Sequence, residues 1–170
     1  MSVENIEGLA FKIDKVISAR DIVPNTITSS YHEPRNIEPF MAIIPNFVEE
    51  TFNQKILIGT ENFGYGSFKE LPASVLKHSG IKAIIAKSFF FPFYKNAFNV
   101  GLICIEANID YIDSNDEIII DINQAYIRNI TKKVGIKFQP IKKYFYQLYL
   151  DGGMLNQLRK GIKNENNKRI

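Results

Sequence analysis

Between residues 55 and 106 three short apolar runs are set apart by two segments of helical spacing, and that rhythm leaves few folds open. The runs cover 55–59, 81–86 and 102–105, each bounded by turn-forming residues as buried strands are. Between the first two, a loop carrying Gly64, Gly66 and Ser67 leads into a predicted helix over 72–78. Pro72 suits a first helical position there and Gly80 the position just past the end. Between the last two, Phe90, Phe93, Tyr94 and Ala97 recur at helical spacing. Strand, glycine loop, helix, strand, helix, strand predicts a parallel α/β unit.

A glycine-rich turn between strand and helix lets the backbone approach a ligand closely and leaves amides free for an anion. Ser67 lies in that turn, where two readings compete. Ser67 and Glu70 have the spacing of a capping box, in which both side chains merely satisfy helix-end donors. A helix that starts near Pro72 instead frees Ser67 for chemistry, because proline at a fifth helical position would cost a hydrogen bond.

The segments GTENFGYGSFKE, SGIKAIIAKSF and FYKNAFNVGL, in that order and spacing, resemble the small subunit of 3-isopropylmalate dehydratase, the mobile swivel domain of the aconitase superfamily. The resemblance implies an α/β swivelling β/β/α domain, a mixed sheet with flanking helices, over 1–162, with 163–170 as a polar basic tail. It implies a hydro-lyase that dehydrates and rehydrates a hydroxy di- or tricarboxylic acid, active only with a large subunit that carries an iron-sulfur cluster. Ser67 takes the position of the catalytic base, which works as an alkoxide. Gly66, Phe68 and Lys69 take positions that bind substrate.

Departures from the family pattern gather in the same places. Tyr65, Phe68 and Lys69 stand where the family has cysteine, serine and arginine. Lysine is a flexible point charge in place of a planar two-pronged fork. The family's aspartate-rich stretch aligns with residues 16–20, where Arg20 reverses the charge and only Asp21 remains nearby. The substrate-selecting arginine after the following proline is missing from Ile27, Thr28, Ser29 and Ser30. Arg35 is either its substitute or a solvated loop charge. These changes leave open a divergent hydratase for another hydroxy acid, and a partner that keeps the fold without the chemistry.

Outside this unit, 8–13 alternates as a strand with Leu9, Phe11 and Ile13 on one face, and 21–24 suggests another strand. Residues 25–46, with Pro34, Pro39 and Pro45, read as a long functional loop. The runs 118–122, 125–130 and 134–138 read as a meander of strands. Residues 141–160 read as a helix broken at 151–153, with Tyr144, Phe145, Leu148, Tyr149, Leu155 and Leu158 as its core stripe.

At 170 residues, 45% hydrophobic and 23% charged, the chain has the size and balance of one globular domain. No apolar run approaches the ~20 residues of a membrane span. The acidic start, MSVENIEG, does not resemble a secretory signal, which points to the cytoplasm. Cys104 stands alone in an apolar run and reads as a buried, inert thiol. One thiol cannot ligate a cluster, so no cofactor or metal is expected on this chain itself. His32 reads as a surface residue with the chemistry of a general acid or base, and His78 as a helix-end cation. From residue 130 onward ten basic residues face two acids, while before it eleven face sixteen. No recognition motif accompanies the basic end, so an acidic partner surface fits it better than nucleic acid.

Overall fold

In the computed structural model, which describes residues 5–28 and 33–167, the chain begins with β1 (Ile6–Lys12) and a single helical turn, α1 (Ala19–Ile22). Then come α2 (Asn25–Thr28), a 3-10 turn (Pro34–Asn36) and α3 (Phe47–Glu50). The alternating part follows as β2 (Gln54–Gly59), α4 (Leu71–His78), β3 (Ala83–Ala86), α5 (Phe91–Asn99) and β4 (Ile103–Glu106). The chain closes with β5 (Glu117–Asp121), β6 (Tyr126–Asn129), β7 (Val134–Lys137), α6 (Lys143–Asp151) and α7 (Met154–Asn167). Among the described residues the strands form one mixed sheet in the order β4-β3-β2-β1-β5-β6-β7.

Strand β1 is the seam. It pairs in parallel with β2, Ala10 opposite Ile56 and Lys12 opposite Ile58, and antiparallel with β5, Ile6 opposite Ile120. On the β2 side all pairings are parallel and the strands are almost wholly apolar, as strands covered on both faces must be. On the β5 side a hairpin-linked meander runs antiparallel. Parallel pairing has a direct consequence for the site. It brings the loops leaving β1 and β2 to the same end of the sheet, the carboxyl end at which open α/β sheets hold ligands.

The predicted α/β unit, the meander and the broken terminal helix are all present. Three local expectations change. Residues 21–24 are not a strand: Ser18 and Asp21 form a true capping box and wind 19–22 into α1. Ala10 is the fully buried residue of β1, while Leu9 and Phe11 are half-buried, because helices and loops cover both faces of the sheet. Leu155 and Leu158 do not continue the core stripe, being 70% and 56% exposed on α7. On α6 the expected stripe holds at Leu148, which is buried, and at Phe145, packed against Tyr94 and Phe98 of α5 at 5.2 Å each, but not at Tyr144, which is exposed. Helix α7 runs through Asn167.

Candidate active site

The loop between β2 and α4 is pinned from both sides. Toward α1, the Gly64 amide donates to the Ile17 carbonyl at 2.8 Å and the Ala19 amide to the Tyr65 carbonyl at 2.7 Å. Toward α5, the Phe63 amide donates to the Ser88 carbonyl and the Phe90 amide to the Phe63 carbonyl, both at 3.0 Å. Phe63 is the plug: fully buried, it meets the rings of Phe93 and Phe89 edge-on at 5.4 and 6.0 Å. Gly64 has a φ of +81°, and a Cβ there would lie 2.3 Å from Cγ of Phe93. Only glycine fits that close approach.

Past this anchor the chain opens outward. Gly66, with a φ of +87°, has nothing within 4 Å of where a Cβ would sit. Ser67 follows, half-buried, and its Oγ accepts one hydrogen bond, from the Lys69 amide at 3.1 Å. The competing capping box is excluded, since α4 takes Glu70 as its N-cap without a side-chain cap and carries Pro72 in its first turn. Among the described residues the amides of Gly66, Ser67 and Phe68 donate to no protein acceptor.

Ser67 borders a hollow of about 200 Å3 whose walls come from four places: Gly66, Ser67 and Lys69 of the loop, Ala19, Arg20 and Val23 of the α1 region, Asn25 at the start of α2, and Pro72 of α4. The structure thus brings together Ser67, Gly66 and Lys69 and leaves Phe68 and Arg35 outside. Phe68 is 81% exposed, its ring edge-on to Phe90 at 5.8 Å, while its carbonyl accepts from Asn96 Nδ2. Arg35 sits in the 3-10 turn, 3.8 Å from Glu33. His32, with Ser29 and Ser30, lies outside the described residues. The wall residue that spacing did not reveal is Arg20, whose only sequence signal was the reversal of charge.

The electrostatics of the hollow follow from where Asp21 points. Burial alone would raise its carboxyl. Hydrogen bonds from the Ser18 hydroxyl at 2.7 Å and amide at 2.8 Å, with Lys15 nearby, hold it below the usual carboxylate range. That acid is committed to the cap. Among the described residues neither Arg20 nor Lys69 joins an ion pair, so the hollow keeps two exposed cations beside a serine hydroxyl.

The sequence profile of the aconitase C-terminal domain family matches residues 9–109, which span β1 to just beyond β4 and include both loops of the hollow. The chain belongs to this family. It is 34% identical over 161 residues to 3-isopropylmalate dehydratase small subunit 1 of Thermotoga maritima, covering 91% of this chain and 95% of that one. It is 39% identical over 118 residues to the homoaconitase small subunit of Methanothermobacter thermautotrophicus, 69% of each. The crystal structure of 3-isopropylmalate dehydratase from Methanocaldococcus jannaschii superposes with a TM-score of 0.90 at 33% identity, covering 97% of this chain and 99% of that one. The expected aconitase-type hydro-lyase small subunit, with its mixed sheet and flanking helices, is therefore met along nearly the whole length.

Size alone would have directed attention elsewhere. A groove of about 1090 Å3 is lined by Glu7, Lys77, Lys82, Gln147, Asp151 and Lys160 among others. Many of its polar groups serve one another: Asp151 accepts from Lys160, Gln147 and Gln157, and Lys77 Nζ donates to the Gly101 carbonyl. Nothing there resembles a nucleophile or base awaiting a substrate. Among the described residues no three of His, Cys, Asp and Glu are grouped to hold a metal, and no helix is long and apolar enough to cross a membrane. Cys104 is fully buried, and burial pushes its thiol well up, as for an inert core residue. His78 Nδ1 donates locally, to the Ser74 carbonyl at 2.7 Å.

Proposed function

We propose that this chain, in the cytoplasm, supplies the base and the anion grip of a dehydratase acting on a hydroxy di- or tricarboxylic acid. The iron-sulfur cluster would sit on a separate large subunit. The observation that carries this is Ser67, outside helix capping, presented beside a small hollow with two uncommitted cations. At about 200 Å3 the hollow suits one end of a small acid, below the roughly 300 Å3 at which complete ligand pockets begin, so a partner surface would finish the site.

The residues of this chain do not fit a cluster, since the one thiol is buried in the sheet. On the large subunit the cluster would supply a Lewis acid that draws off the substrate hydroxyl. Ser67, as alkoxide, takes the proton from the carbon beside a carboxylate, and the released electron pair forms the double bond as the hydroxyl departs. The Lys69 amide on Oγ and the nearby positive charge favour that alkoxide over the neutral hydroxyl. Free amides at Gly66 and Ser67, with Lys69 Nζ, hold carboxylate oxygens. Readdition of water runs the same steps backward, and closure of this domain over the partner excludes bulk water.

The relatives' names put 3-isopropylmalate first as substrate. A second reading, a homoaconitase-like acid with a third carboxylate, is favoured by the paired cations Arg20 and Lys69 in a hollow from which the Phe68 ring is absent. The chain reconstituted with its large subunit should be assayed on isopropylmalate, homocitrate and citrate. Highest kcat/KM on isopropylmalate upholds the first reading and highest on homocitrate the second. Turnover of none would leave a partner without chemistry.

A further inference from the structure

Three observations converge on Arg20, which the family resemblance does not mark as a site residue. It lines the same hollow as Ser67 and Lys69 although it comes from a different strand's loop. Its position relative to Ser67 is fixed, because α1 is tied to the serine loop by the Ala19-to-Tyr65 and Gly64-to-Ile17 hydrogen bonds. Ala19 and Ile22, on either side of it, are buried and hold the turn against the core. Its one acidic neighbour in sequence is unavailable: Asp21 is consumed by Ser18 in the capping box.

An arginine and a lysine sharing one concavity repel each other. At the other end of the sheet a comparable cation, Lys132, is met by Asp113 and Asp116. Two cations that share a concavity without an acid make it a favourable place for an anion, whose entry relieves their mutual repulsion. Lys69 offers a point charge, whereas a guanidinium offers two parallel N–H bonds that match the two oxygens of a carboxylate.

Resting on the reading of the hollow given above, we infer that Arg20 is the carboxylate fork of this site, a specificity-determining residue that supplies from α1 the bidentate grip that Lys69 cannot. The acids it selects carry a carboxylate that reaches the α1 wall while the reacting carbon sits at Ser67. Acids lacking that second carboxylate lose most of the benefit.

The test uses the reconstituted pair with Arg20→Ala, Arg20→Lys, Ser67→Ala and the double variant Arg20→Ala with Lys69→Arg. Steady-state kinetics are measured, and affinity for propane-1,2,3-tricarboxylate is read by calorimetry so that one result does not depend on turnover. Arg20→Ala should raise KM and the tricarboxylate Kd about 10- to 100-fold, the range expected for losing charged hydrogen bonds. Arg20→Lys should recover only part of that. An arginine returned at position 69 should recover more, since it faces the same hollow from the opposite chain segment. Unchanged KM and Kd in Arg20→Ala, with Ser67→Ala inactive, would overturn the inference and leave the reading of Ser67 standing. A loss rescued by neither Arg20→Lys nor the relocated arginine would also overturn it, showing that Arg20 only supports α1. Full turnover by Ser67→Ala would remove the reading itself, and the inference with it.

Discussion

The two halves of the sheet, divided at β1, treat charge in opposite ways. On the antiparallel side Asp116 is 5% exposed, and every partner it needs is at hand: Asn129 Nδ2 at 2.7 Å, the Asp113 amide at 2.8 Å and Lys132 at 3.4 Å. On the parallel side Arg20 and Lys69 face a hollow that no acid lines among the described residues. The first arrangement closes on itself and serves the fold. The second is incomplete within the chain, which is the condition of a surface that waits for a ligand. The comparison teaches that charges satisfied within the chain serve the fold, and that cations without an acid at the carboxyl ends of parallel strands make a place able to receive an anion.

Substitutions can break that contrast, and the largest effect should come where the site is bolted to the core. Gly64→Ala combines a left-handed backbone with a Cβ placed 2.3 Å from Phe93, so it should cost about 3 kcal/mol or more in chemical denaturation. A cost under about 1 kcal/mol would mean that the loop is not pinned as described. Next comes the closed charge network. Burial by itself would raise the Asp116 carboxyl, but the Asp113 amide, Asn129 and Lys132 hold it below its ordinary value. Its stabilisation is therefore full above the usual carboxylate value of about 4 and is lost as pH falls through the lowered one. Asp116→Asn should cost about 2 kcal/mol at pH 7, with the gap to wild type narrowing toward pH 2. A gap independent of pH would show that the charge of Asp116 contributes nothing. The smallest effect belongs to Gly66→Ala, where space is open and only backbone strain of about 1 kcal/mol applies. A thermal melt should barely shift while turnover falls, because the added methyl enters the hollow. Equal losses of stability and turnover would erase the distinction between anchor and opening.

Much of this was legible in the sequence, and the exceptions share a cause. Apolar runs bounded by glycine gave β2, β3 and β4 correctly, since a strand buried on both faces can be little else. Gly66, Ser67 and Lys69 were legible together because they are neighbours in the chain. Arg20 was not, because parallel pairing of β1 with β2 is what brings the two loops to one end. Residues 21–24 look like a strand by their apolar character, yet three side-chain hydrogen bonds between Ser18 and Asp21 decide the local structure. The S-x-x-acid spacing that signals such a box is defeated at Ser67 by Pro72 and holds at Ser18. On α7 the spacing of Leu155 and Leu158 identifies a face without saying what that face meets.

The claim most exposed to direct test is that Ser67 is the proton-abstracting group rather than a loop residue near someone else's chemistry. Single-turnover and steady-state rates of the reconstituted pair carrying Ser67→Ala measure it. The account predicts a kcat lower by about 100-fold or more, the contribution expected of a general base, with KM and the melting temperature close to wild type. A kcat within about threefold of wild type, in a variant that folds and pairs normally, would contradict it.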